Sequence, residues 1–316
     1  MSYNTENYLD YRKDSLQVVS TFMPDSLKRW SAKRYYTKRD NIARVITAVG
    51  GWNPPALVAL CEIGNRKVLD DLTKFSALRN LKYGIAHFES PDPRGIDVAL
   101  LYQPCVFKPY MEKAVRVRFA DNPKRRTRDI LYVGGLLNNR DTLHVFVCHF
   151  PSRLGGELAS ESGRMTAAKT LRFQVDSIRA LNHRSNILIM GDFNDYPSNR
   201  SVRYGLGALP LDNGKQLADT ALYNLCYALH KDGNIGTYKH DGQWGMLDQI
   251  IVSGTLLSPA GSIFAKSREA TVFDAPFLME DDPGFGKRPA RTYIGMKYHG
   301  GYSDHLPVFV DLMVKK

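Results

Sequence analysis

No apolar run in this 316-residue sequence approaches the roughly 18 residues of a bilayer span, which excludes a helical membrane anchor within it. Cysteine is scarce. Cys61, Cys105, Cys148 and Cys226 are too few and too scattered for a disulfide scaffold, and none sits in a Cys-x-x-Cys pair of the kind that builds a zinc centre. No Gly-x-Ser-x-Gly elbow marks a covalent nucleophile. Long Ser/Pro/Gly tracts, repeats and low-complexity blocks are also missing, so 1–316 reads as one domain. It opens abruptly at Met1-Ser2-Tyr3-Asn4, as if trimmed at its start, so the compartment stays open: a soluble protein, and an exported one if a leader was removed. Acidic residues are the minority, 32 against 43 basic, and the net charge of +11 favours an anionic partner without choosing between nucleic acid, phosphorylated small molecules and acidic head groups.

What the chain does have is a series of short, branched, apolar runs, each ending or beginning with a polar residue. The central one is Asn186-Ile187-Leu188-Ile189-Met190, followed by Gly191-Asp192-Phe193-Asn194. Its composition suits a strand covered on both faces. Gly191 permits a close backbone approach, and Asp192 and Asn194, two apart on an extended chain, share a side. Further strands are expected over 57–61, 95–102, 130–137, 143–150, 246–253 and 306–314. Amphipathic helices are expected over 35–49, ended by Gly50-Gly51, then around Val68, Leu72 and Phe75, and over 157–181 with Ala168, Leu171, Val175, Ile178 and Leu181 on one face. The segment before residue 35 reads as loop with some helix. Helices interleave with strands, yet some strands follow one another directly, which predicts a mixed α/β arrangement of two packed sheets with helices outside.

Asn4 and Glu6, Glu62, His149, Asp192 and Asn194, Asp248, and Asp304 with His305 all fall at the ends of such runs. Singly, each has a structural explanation: a first-turn acid, a satisfied core histidine, a capping carboxylate, a turn. Together they are harder to dismiss, because an unpaired charge beside an apolar strand costs several kcal/mol, roughly, and these groups must meet one another or a metal.

Asn4-Thr5-Glu6-Asn7, Glu62, Gly191-Asp192-Phe193-Asn194, Leu247-Asp248-Gln249-Ile250 and Ser303-Asp304-His305, in this order, resemble the motifs of the endonuclease/exonuclease/phosphatase superfamily across nearly the whole chain. His149 falls where its deoxyribonuclease branch has a second catalytic histidine. The resemblance implies an α/β four-layer sandwich, two mixed β-sheets packed face to face with helices on both outer sides, and a site at one mouth of the sheets. It implies Mg²⁺, with Mn²⁺ as substitute, held by Glu62 and Asp304 with Glu6 and Asn4. It further implies that Asp192 orients or deprotonates water, that Asn194 donates to the phosphoryl oxygen and that His305 donates to the phosphate or acts as base. His149 would protonate the leaving oxygen, with Asp248 as an orienter. The Asn-Tyr-Arg and Cys-Asp-Arg contexts of inositol-polyphosphate phosphatases are missing.

Arg153, Tyr238, Trp244 and Arg291, in loops near these motifs, are candidate substrate contacts. The first reading is a monomeric Mg²⁺-dependent phosphodiester hydrolase of the nuclease kind, with nucleic acid as substrate. A phosphomonoesterase or a lipid-head-group phosphodiesterase of the inositol phosphate or sphingomyelin type is the alternative, and a non-catalytic nucleic-acid binder the third. Lys33-Arg34, Lys38-Arg39, Lys124-Arg125-Arg126 with Arg128, and Lys287-Arg288 with Arg291 are expected on exposed surface, where they would serve a polyanion.

Overall fold

Strand β1 (Ser2–Tyr8) runs parallel to β2 (Leu57–Ile63), and the chain between them forms α1 (Ala32–Gly50). The computed structural model describes residues 1–12, 21–211 and 217–315; part of the loop expected before residue 35 lies outside them. Helix α1 begins three residues earlier than its apolar stripe suggests, because the Ser31 side chain accepts from Arg34 N and caps it. It ends at Gly51, whose φ of 55° suits glycine. Helix α2 (Arg66–Phe75) is capped by Asn65 and buries Val68, Leu69 and Leu72. Phe75, expected on that buried face, is 65% exposed, and Leu69 takes the place beside Leu72.

Strands β3 (Gly84–His87) and β4 (Asp97–Tyr102) complete one side of the first sheet, whose order is Thr271–Val272, Val308–Phe309, β1, β2, β4, β3. The second sheet is built from β5 (Phe107–Val115), β6 (Ile130–Leu137), β7 (Thr142–His149), β8 (Asn186–Asp192), β9 (Ala208–Pro210), β10 (Leu222–Asn224) and the later strand Asp248–Ser253. Between the last two, β11 (Tyr238–His240) and β12 (Gln243–Gly245) form a separate hairpin; Asp248–Ser253 is β13. The sheet order is β5-β6-β7-β8-β13-β10-β9, with β7/β8 and β9/β10 parallel and the other pairs antiparallel. Both sheets are therefore mixed. The strand expected over 306–314 divides: Val308–Phe309 pairs with β1, whereas Leu312–Val314 pairs with Ile263–Ala265 in a separate ribbon. One hydrophobic run served two partners, which periodicity alone does not reveal.

Side-chain parity decides what each face of the second sheet covers. Val145 and Val147 of β7, Leu188 and Met190 of β8, and Ile250 and Val252 of β13 join the core shared with the first sheet. Phe146 and Cys148, Ile187 and Ile189, and Ile251 face the other way, onto Ala167, Ala168, Leu171 and Val175 of α3 (Glu157–Leu181). Leu181, at the end of α3 and expected on its buried face, is 92% exposed. Cys61, Cys148 and Cys226 are buried and free, in keeping with a role as small apolar side chains. No helix among the described residues is long and apolar enough to cross a membrane.

Candidate active site

The parity that sends Val145 and Val147, Leu188 and Met190, and Ile250 and Val252 inward also sends inward the residue two places further along each strand, at the mouth of the sandwich. Those residues are His149 and Asp192, and, at the start of antiparallel β13, Asp248. The ladder sets them in one row, His149 opposite Asp192 and Asp192 opposite Asp248. Such a row requires β7 and β8 to stay close. Gly191 provides this: its φ is 144°, and a Cβ on it would lie 1.9 Å from the Cys148 carbonyl oxygen. The close approach anticipated for Gly191 is thus to the neighbouring strand.

The first sheet faces this row with less regular chain. Its β1–β2 register shifts after Asn4, the β2–β4 register shifts around Glu62, and Glu6, Asn7 and Glu62 have φ values of 51°, 57° and 63°. Asn194, beyond β8, joins them with φ 49°. Non-glycine residues rarely adopt this region, and their concentration at one mouth marks a place where geometry has been set against local preference.

Asp192 is the hub. Its Oδ2 accepts from Asn4 Nδ2 at 3.0 Å across the sheets, its Oδ1 accepts from the Asn194 backbone N–H at 2.8 Å, and His149 Nε2 and His305 Nε2 stand 3.6 and 4.0 Å from Oδ2. His305 donates from Nδ1 to Asp248 Oδ2 at 2.6 Å. Its position is set by the Ser303 hydroxyl, which accepts from His305 N and donates to the Asn4 carbonyl, and by a bridge to Tyr238, whose ring lies 4.9 Å away.

Burial pushes the Asp192 carboxyl up, and the Asp248 charge adds to this, placing it at about 6. For His305, burial opposes the charged form, but the Asp248 carboxylate and its hydrogen bond overcome it and hold the imidazole protonated well above the usual range. His149 goes the other way. Burial, with the nearby Arg128, Arg94 and His305 charges, lowers it well below the ordinary histidine value, so it is neutral. Among the described residues its Nδ1 has no hydrogen-bond partner. The two histidines beside one aspartate therefore differ in charge because only one has its own carboxylate. A neutral His149 does not suit the acid role that the family resemblance suggested.

A cavity of about 590 Å³ opens at this mouth; Asn4, Glu62, His149, Arg153, Asp192, Asn194, Tyr238, Asp304 and His305 all line it. Four expected members do not line it: Asp248 lies buried behind His305, and Glu6, Trp244 and Arg291 are engaged elsewhere. The Glu6 carboxylate is turned onto the backbone N–H groups of Thr292 and Tyr293, at 2.7 and 3.1 Å. Trp244 packs under the Lys239 ammonium, and Arg291 donates to the Lys239 carbonyl and lies over Tyr238. Arg153 reaches the cavity while held by the Asn194 carbonyl at 2.8 Å and stacked 4.1 Å over the Tyr196 ring. Asn194 Nδ2 donates to the Phe150 carbonyl at 3.0 Å.

Sequence reasoning passed over Arg94, Tyr196, His240 and Gln243, which also line the cavity. The signal for Arg94 was a turn-rich Pro91-Asp92-Pro93-Arg94-Gly95 just before a strand; the β11–β12 hairpin gave none. Two of the basic residues expected at the surface are buried. Lys38, 1% exposed, donates to the Thr292 hydroxyl and the Tyr302 carbonyl, and Arg128 pairs with Asp92 at 3.1 Å and donates to the Phe150 carbonyl.

The donors around the cavity are carboxylate and amide oxygens with one histidine pair, and no cysteine sulfur lines it. That set fits a hard divalent cation. Ligand atoms of Asp192, Asp248 and His305 lie within 4.8 Å of one another, and among the described residues the buried Asp248 Oδ1 has no hydrogen-bond partner.

The sequence matches the Endonuclease/Exonuclease/phosphatase family over residues 1–314, and the chain belongs to that family. Its members are phosphoester hydrolases that generally depend on divalent cations. No curated protein matches it. Among solved structures it resembles a mannosyl-6-phosphatase of Bacteroides thetaiotaomicron (TM-score 0.60, 15% identity, covering 99% of this chain and 98% of that one). It also resembles the human Nocturnin catalytic domain with bound sulfate (TM-score 0.59, 18% identity, 98% and 93% covered). D. rerio TDP2 complexed with a single strand DNA product is similar too (TM-score 0.54, 16% identity, 87% and 92% covered). At these identities the likeness shows the fold, a four-layer α/β sandwich.

Proposed function

We propose that this chain is a Mg²⁺-dependent phosphodiesterase of the nuclease kind that hydrolyses its substrate by direct attack of water. The observation that carries this reading is the row of His149, Asp192 and Asp248, with Asp248 clamping a cationic His305 and Asn4 reaching Asp192 from the opposite sheet. An ionised Asp192, held by Asn4 and the Asn194 N–H, orients the attacking water and takes its proton. Neutral His149 supports that step as a second acceptor. His305, positively charged, faces the phosphoryl oxygens as their charge grows. Glu62 and Asp304 would hold the cation, with Asn4 beside them, and it would act as a Lewis acid on a phosphoryl oxygen and on the leaving alkoxide.

A phosphomonoesterase is a second reading, supported by the burial of Lys38 and Arg128: less of the positive charge is free to follow a polyanion than the sequence suggested. The solved mannosyl-6-phosphatase has the same fold. A panel of single-stranded DNA, RNA, plasmid DNA, inositol phosphates and sugar phosphates, each with Mg²⁺, Mn²⁺ or chelator, tests both. Turnover confined to the monoesters would replace the first reading by the second, and full turnover in chelator would refute the metal-dependent reading.

A further inference from the structure

Glu62 is fixed at three points. Its backbone is left-handed, with φ 63°, its Oε2 accepts from the Asn7 N–H at 2.9 Å, and its Oε1 faces Arg94 Nη2 at 3.1 Å. Each carboxylate oxygen thus has one donor, Oε2 a backbone N–H and Oε1 the guanidinium of Arg94, so Oε1 is the oxygen that a cation can take by displacing a side chain. A divalent ion bonded to that oxygen at roughly 2.1 Å would stand next to the guanidinium, and two like charges so close repel.

Arg94 can yield only in one way. Its N–H donates to Asp92 Oδ1 at 2.9 Å, Gly95 N–H donates to the Asp92 carbonyl at 2.9 Å, and Asp92 is paired with the buried Arg128. Arg128 in turn donates to the Phe150 carbonyl, the same oxygen that accepts from Asn194 Nδ2. The root of Arg94 is thus locked to the strand end that carries His149. Its side chain is 46% exposed, and among the described residues its one other tether is Asn7 Oδ1 at 2.9 Å, so it can swing away from Glu62 without disturbing that root. The cavity beside it is lined by Asn4, His149, Asp192 and Asn194, where a scissile phosphate would sit.

We infer that Arg94 is a resident counter-ion of Glu62 that gives way to the divalent cation and then grips the substrate phosphate. This rests on the metal-dependent reading above. The planar fork of an arginine offers two parallel donors to phosphate oxygens, which suits the second position as well as the first. Metal binding and phosphate binding are coupled through one side chain: the metal releases the group that the anion needs.

Calorimetric titration of the full chain with Mn²⁺ alone, and of the Mn²⁺-saturated chain with inorganic phosphate, tests the inference without relying on turnover. Because a half-exposed ion pair contributes little, Arg94→Gln should bind Mn²⁺ only about threefold to fivefold more tightly than wild type. It should bind phosphate about tenfold or more weakly, the scale of a lost charge-assisted hydrogen bond. Arg94→Lys should return Mn²⁺ affinity towards wild type, and thermal unfolding should show both variants folded. Unchanged or weaker Mn²⁺ binding in Arg94→Gln, or unchanged phosphate binding, overturns the role of Arg94 while leaving the metal reading intact. If Glu62→Gln binds Mn²⁺ as well as wild type does, the metal reading itself fails and this inference falls with it.

Discussion

The two sheets supply their halves of the site in opposite ways. In the larger sheet the functional groups sit on an unbroken ladder: His149, Asp192 and Asp248 are register partners on β7, β8 and β13, and simple alternation turns all three inward. In the smaller sheet the functional groups sit where the ladder fails, at the register shifts near Asn4 and Glu62, on left-handed residues. The difference suits the tasks proposed for the two halves. Proton transfer and charge stabilisation need several side chains at fixed spacing on one face, which a regular sheet provides. Cation binding needs oxygens converging on a point, and a pleated strand turns its successive side chains apart unless it is bent.

The largest effect should come from the irregular half. Chelation is expected to abolish hydrolysis and added Mg²⁺ or Mn²⁺ to restore it, measured on whichever phosphate ester the panel identifies. Activity that survives chelation would mean the smaller sheet has only a structural part.

On the regular half, Asp192→Asn and His305→Ala are each expected to lower turnover at least roughly 10²-fold, with circular dichroism unchanged. Normal turnover in either would remove that residue from the machinery. His149→Ala should cost less, because a neutral imidazole next to Asp192 assists a base that remains.

Breaking the ladder itself should appear as lost stability. Gly191→Ala places a Cβ against the Cys148 carbonyl at a φ that side chains avoid, and a loss of about 2–4 kcal/mol is expected in denaturant unfolding. A neutral outcome would show that β7 and β8 can part without harm.

The smallest effect lies in the pH profile. In the proposed mechanism Asp192 acts ionised, and its carboxyl stands at about 6, so activity should rise as pH increases towards that value. A bound cation favours the ionised form and moves this limb lower, never higher. His305 is held protonated well above its usual range, so loss of activity on the alkaline side should begin above neutrality. An acid limb above pH 7 would contradict the environment assigned to Asp192.

Much of this was determined by the sequence alone. Each apolar run ended or began with a polar residue, and since strands bury apolar faces, the order of those runs already implied that the polar ends converge; Asp192, His149, Asp248 and His305 were legible for this reason. The helices over 35–49 and 157–181 announced themselves by their stripes, though not by their caps. What alternation could not express was decided only in three dimensions. Glu62 and Glu6 look alike in sequence, and both adopt left-handed backbone, yet Glu62 lines the cavity whereas Glu6 is taken up by the backbone N–H groups of Thr292 and Tyr293, a segment far along the chain. Lys38 and Arg128 look like surface charge, but the packing of distant segments buries both. Whether His149 or His305 carries the proton depends on which of them has a carboxylate to itself, and that pairing joins residues 248 and 305, brought together only when the last segment folds back onto the sheets.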